Sequence, residues 1–86
     1  MKLHPDVFLR KEFDDSGILM RRSDGKVFYL NPISVLICEV LESNVDEATV
    51  IQHVRDHVKG VPENLADDVH AFLSQLRGAG LITEEE

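Results

Sequence analysis

Residues 18–33 read Ile18-Leu19-Met20-Arg21-Arg22-Ser23-Asp24-Gly25-Lys26-Val27-Phe28-Tyr29-Leu30-Asn31-Pro32-Ile33, and the fold is decided in this stretch. Asp24-Gly25 stands between two apolar runs. Both residues tolerate positive φ, so the pair marks a tight hairpin. A two-residue loop pairs Arg22 with Val27, Met20 with Tyr29 and Leu19 with Leu30. Any even loop length leaves the sorting of side chains unchanged, because they alternate across a strand. One face carries Leu19, Arg21, Phe28 and Leu30; the other carries Ile18, Met20, Arg22, Val27 and Tyr29. Both are substantially apolar. One should cover the core. The other is either a contact surface or is covered by the chain's own first strand or terminus. The run Val27 to Leu30 has no charge or proline to protect it, so as an edge it would accept a strand from another chain.

After Asn31 the period becomes helical. Pro32 suits a first helical position with Asn31 as N-cap. Ile33, Leu36, Ile37, Val40 and Leu41 then follow as one apolar stripe. Asp46 can cap a second helix striped by Val50, Ile51, Val54 and Val58 and ended by Gly60. Pro62 to Asn64 opens a third helix, striped by Leu65, Val69, Phe72, Leu73 and Leu76. Glu63, Asp67 and Asp68 in its first turns and Arg77 in its last complement the helix dipole. Gly78 and Gly80 stop it. Leu81-Ile82 offers a short apolar return, and Thr83 to Glu86 reads as a solvated tail.

Before residue 18 the period is two. Val7, Leu9 and Phe13 share one parity and Phe8, Arg10 and Glu12 the other, which gives a first strand closed by the turn cluster Asp14-Asp15-Ser16-Gly17. The expected architecture is α+β: strands over about 7–13, 18–23 and 26–30, then helices over about 32–43, 47–59 and 63–78. Such an order builds a small winged helix-turn-helix, a three-stranded antiparallel sheet followed by three helices.

The chain has 86 residues, which is one domain over 1–86. It is 43% apolar, enough for a modest core and too much for a disordered tail. Its smallness leaves little room for a deep, water-free active site. The longest uncharged run is the twelve residues from Val27 to Cys38, too short to cross a membrane, and the N-terminus lacks a signal-peptide core. A single cysteine forms no internal disulfide, so a reducing cytoplasm is the expected compartment. The net charge of −7 is unevenly placed. Residues 1–33 hold six basic and five acidic side chains, whereas residues 34–86 hold three basic and eleven acidic. Nucleic-acid binders present a basic face to phosphate, and here the helical half is acidic.

Candidate chemistry is sparse. His53 and His57 stand four apart, a spacing that can hold a metal, but the glutamate of the zinc-protease helix is absent and no third ligand is placed. The simpler expectation is two histidines flanking an apolar stripe, with no metal. Cys38 has no histidine beside it in sequence and reads as a structural thiol. Asp67 and Asp68, as helix neighbours, point apart and act as dipole partners more readily than as an acid/base pair. No phosphate loop, nucleophile elbow or CxxC motif is present, so no cofactor is expected and the chain is not expected to be an enzyme.

The hairpin ending Phe28-Tyr29-Leu30-Asn31-Pro32 and running straight into an apolar helix resembles the PqqD family. So do the closing pattern Asp68-Val69…Phe72-Leu73…Leu76…Gly80-Leu81-Ile82 and the opening Pro5-Asp6-Val7. The resemblance covers nearly the whole chain. It implies a peptide chaperone, also called a RiPP recognition element, that binds the leader region of a ribosomally made precursor peptide. Such a chaperone presents the leader to a modifying enzyme, which in pyrroloquinoline quinone (PQQ) biosynthesis is a radical S-adenosylmethionine protein. Ser43-Asn44 stands where the family often has Asp-Gly; Asn tolerates left-handed geometry, so the turn can form.

The resemblance also implies a binding mode. The leader adds as a strand along Lys26, Val27, Phe28, Tyr29 and Leu30 and packs against Leu65, Asp68, Val69, Phe72 and Leu76. Some of these must be core, with Leu30 and Leu73 foremost. Arg21 and Arg22, with Lys26, either attract an acidic leader or form an ordinary charged hairpin end. Partners are then the leader peptide and the modifying enzyme, with no nucleic acid and no membrane, in a monomer or weak homodimer. The alternatives are a DNA-binding winged helix, opposed by the acidic helical half, and a dimerisation module using its own edge strand.

Overall fold

A computed structural model describes residues 1–60 and 63–84. Two short strands absent from the sequence expectation frame the molecule: β1 (Lys2–Leu3) and β5 (Ile82–Thr83). Between them run β2 (Val7–Lys11), β3 (Gly17–Arg21), β4 (Val27–Leu30), α1 (Pro32–Val40), α2 (Glu47–His57) and α3 (Leu65–Gly78). The strands expected first, second and third are thus β2, β3 and β4. They form one antiparallel sheet in the order β2-β3-β4, and β1 pairs antiparallel with β5 as a separate ribbon. This is the expected α+β fold. Pro62, expected to help open the third helix, and Glu85 and Glu86 of the expected tail lie outside the described residues.

The hairpin register differs from the simplest two-residue loop. Met20 pairs with Val27, Leu19 with Phe28 and Ile18 with Tyr29, a slip of two residues. The physical reason lies at the wing tip. Arg21 N–H donates to the Lys26 carbonyl, and the Asp24 carboxylate accepts the Lys26 N–H at 3.0 Å, so the loop holds four residues. Asp6 pins it from below, its carbonyl accepting Arg22 N–H and its carboxylate accepting Ser23 N–H. Because the slip is even, the two faces keep their expected membership.

The inner face of the sheet packs on α1, which also packs on α2, while α2 packs on α3. Leu19, Leu30 and Val7 meet Ile37, Cys38, Leu41, Val50, Val54, Val69 and Leu73 in one core. Burying each such side chain contributes on the order of 1.5–3 kcal/mol. In α1 the buried residues include Val35 and Cys38, off the expected stripe, whereas Leu36 is only half-buried. The helix is enclosed by the sheet on one side and by α2 on the other, so its apolar surface is wider than a single stripe.

Local chemistry sets the helix ends. Asn31 caps α1 by accepting Ser34 N–H at 2.8 Å, and Asp46 caps α2 by accepting Thr49 N–H at 2.8 Å. At the end of α3, Gly80 adopts φ 72°. Its N–H bonds the Arg77 carbonyl and Leu81 N–H bonds the Leu76 carbonyl, a Schellman closure that turns the chain back toward the core. Leu81 and Ile82 are buried there, and β5 meets β1. The amino group of Met1 is held by Asn44 Oδ1 and the Val45 carbonyl. The terminus is thereby tied to the α1–α2 connection and not to the outer face of the sheet. That connection contains no left-handed residue: among the described residues Asp15 is the one non-glycine with positive φ.

Candidate peptide-binding edge and groove

β4 lies at the sheet edge, and its backbone polarity follows from the ladder. Arg21 and Lys26 form a hydrogen-bonded pair across the turn. Such pairs alternate in an antiparallel ladder, so Phe28 and Leu30 turn their N–H and C=O groups toward β3. Val27 and Tyr29 turn theirs outward. No backbone partner meets these outward groups among the described residues. The strand also bears no charge, no proline and no bulge, the features that usually blunt an edge.

At the end of β4 the chain passes through Asn31 into α1, and a cleft of about 350 Å³ opens between α1 and α3. Its α1 wall is built by Ile33, Ser34 and Ile37, and its α3 wall by Asp68, Phe72 and Gln75. An extended chain paired with β4 would therefore run past the mouth of this cleft. Of the residues expected to bind peptide, Lys26 and Tyr29 are exposed, Val27, Phe28 and Phe72 half-buried, and Asp68 exposed at the cleft. Leu30, Leu65, Val69 and Leu76 are buried and spend most of their surface on the core. Ser34, Ala71 and Gln75 line the cleft without having been singled out in the sequence, and Ile33, expected there only as part of the α1 stripe, lines it too. Their place depends on how α1 crosses α3, which no local period records.

The wing arginines are already engaged. Arg21 donates through Nη2 to the Ala79 carbonyl and through Nη1 to Asp24 Oδ2 at 3.3 Å, with its guanidinium 5.8 Å from the Phe28 ring. It thus neutralises the C-terminal carbonyl end of α3 and ties it to the wing. Arg22 donates to the Pro5 carbonyl at 3.0 Å and lies 4.6 Å over the Phe8 ring. Both make contacts within the fold, although Arg22, like Lys26, is exposed.

The remaining reactive side chains are quiet. Cys38 is fully buried, and burial pushes its thiol up to about 12, so it carries no thiolate at neutral pH. His57 Nδ1 lies 2.8 Å from the His53 carbonyl, and His70 pairs with Glu47 at 3.1 Å. No group of three side chains able to hold a metal gathers among the described residues. Among those residues no helix is long and apolar enough to cross a membrane.

A three-stranded wing with an open edge, followed by three helices and a cleft between the first and third, defines a small α+β protein of winged-helix build. Within that class, the family described as Coenzyme PQQ synthesis protein D (PqqD) matches residues 16–82, and the chain belongs to the PqqD family. Two solved structures share the fold. TbiB1, solved in complex with the TbiA(beta) leader peptide, superposes with a TM-score of 0.80 at 20% identity, covering 100% of this chain and 99% of that one. Lasso peptide synthetase B1, complexed with the leader peptide, gives 0.74 at 20% identity over 96% of each chain. At this identity the likeness establishes the fold. No curated protein matches the sequence significantly.

Proposed function

We propose that this chain binds the leader region of a ribosomally made precursor peptide as an added strand along β4 and presents it to a modifying enzyme. The outward N–H and C=O groups of Val27 and Tyr29, beside the α1–α3 cleft, carry this reading. Backbone pairing supplies affinity for any extended segment, and the cleft selects its apolar side chains. Membership of the PqqD family and the leader peptides bound by its two structural relatives support the same assignment. The role needs no catalytic group of its own. Neither alternative gains support. Asp67 and Asp68 on exposed α3 positions would repel a DNA backbone, and the edge that would pair with a second copy is the edge assigned to the peptide.

The test uses amide NMR of the labelled protein, titrated with a precursor peptide sought among the short reading frames beside the gene. Shifts should concentrate in residues 26–30 and 65–76; a peptide that binds without moving them would refute the groove. Tyr29→Pro removes an outward donor and spares the ladder to β3. It should weaken binding about fivefold or more, the worth of roughly one hydrogen bond, in a protein that still folds.

A further inference from the structure

The outer face of the sheet carries a second feature. Phe13 and Tyr29 are the large apolar side chains left exposed among the described residues, at 107% and 88%. They come from different elements yet line one depression of about 500 Å³, with Ile18 beside them. Glu12, Asp14 and Ser16 complete its polar side. Arg10 answers Glu12, with 3.9 Å between Nε and Oε1. Asp14 has hydrogen bonds from Ser16 but no cationic partner among the described residues. An apolar slot with a free negative charge on its rim is complementary to a cation on a long apolar stem.

We infer that this depression takes one lysine or arginine side chain of the peptide paired with β4. The inference rests on strand addition at that edge. Alternate side chains of an added strand lie on the same face as Val27 and Tyr29. The one beside the Tyr29 end of β4 lies within reach of the depression. Its methylenes pack on Ile18 and the Phe13 ring, and its charged head meets the Asp14 carboxylate and the Tyr29 ring face. Ile18 and Tyr29 belong to the outer face of the sheet, opposite the face that packs on α1, so a leader would be held from both faces of the strand it adds. A chain that offers apolar residues to the cleft but no base to the outer face would bind less tightly.

The test titrates the precursor peptide used in that NMR experiment, with each Lys and Arg replaced in turn by Met, against the parent protein and Phe13→Ser. Phe13 is fully exposed, so this variant should melt like the parent. One replacement should weaken binding about three- to tenfold, the scale of an exposed cation–π contact with an ion pair. Phe13→Ser should weaken the unmodified peptide by a similar factor and that replaced peptide no further, because both changes remove one contact. Asp14→Asn, which keeps the oxygen that Ser16 bonds, should flatten the salt dependence of binding. Parent-like affinity in Phe13→Ser, with β4 amides still shifting, would overturn the inference and leave strand addition standing. An equal loss for every peptide would overturn the assignment to a base. A peptide that moves no β4 amide would overturn strand addition, and this contact with it.

Discussion

Gly17 sits in the central strand, facing Val35 of α1. A Cβ built there would lie 2.7 Å from the Arg10 carbonyl oxygen and 3.0 Å from Val35 Cγ2. The first neighbour is backbone held in the β2–β3 ladder, and the second belongs to a buried side chain of α1. Neither can swing aside, so the bare glycine sets how near α1 approaches and hence where Asn31 and Ile33 meet the end of β4. Gly17→Ala should lower stability by about 1–3 kcal/mol in urea denaturation, the usual cost of overpacking. A variant as stable as the parent would mean that β2 yields at Arg10. Phe13 teaches the opposite lesson. It shares parity with Val7, which is buried, and Leu9, and was expected within the first strand, but β2 ends at Lys11 and the Asp14–Ser16 turn carries it into solvent. Parity stops predicting a face once the strand stops.

At the scale of elements, capping separates α2 from α3. Asp46 accepts both the N–H and the hydroxyl of Thr49, whereas Asn64 makes no capping bond at the start of α3. Asp46→Ala should therefore cost about 1 kcal/mol and Asn64→Ala clearly less, as read from paired denaturation curves. Equal losses would show that the Asp46 bond adds nothing beyond propensity. The same contrast explains what the sequence revealed. Asn31-Pro32 and Asp46 carry local chemistry, so the starts of α1 and α2 were legible. The hairpin faces were legible because alternation survives any even slip, although the register itself was fixed by Asp6 and Asp24 reaching the turn. β1 and β5 were not legible, since two residues carry no period and their pairing joins opposite ends of the chain. The edge at β4 could be suspected from its bare sequence. The cleft beside it could not be fully named, because Ile33, Ala71 and Gln75 become neighbours only once α1 and α3 are packed.

For the whole molecule the question is which electrostatic effect governs stability in acid. At neutral pH the chain carries a net −7. Protonating carboxylates relieves that repulsion, but exposed charges are screened beyond about 8 Å at physiological salt. Against this stand four aspartates whose charged forms hold specific turns. Asp6 is held below the ordinary 3.8 chiefly by the Ser23 side chain, and Asp14 chiefly by that of Ser16. Asp24 is lowered chiefly by the Lys26 backbone N–H, and Asp46 by the Thr49 side chain. Together they fix the β2–β3 turn, the wing tip and the start of α2. A depressed carboxyl binds its proton more weakly folded than unfolded, so its contribution is whole above 3.8 and is lost as pH falls through and below that value. The direct bonds act at contact distance, where salt screens least, so they should prevail over diffuse repulsion. Thermal melts should hold nearly level from pH 7 to about 5 and then fall steeply below about 4. Asp46→Asn should blunt that fall, since one of the titrating groups is gone. A melting temperature that climbs steadily down to about pH 3 would mean that repulsion within the acidic helical half is the larger effect.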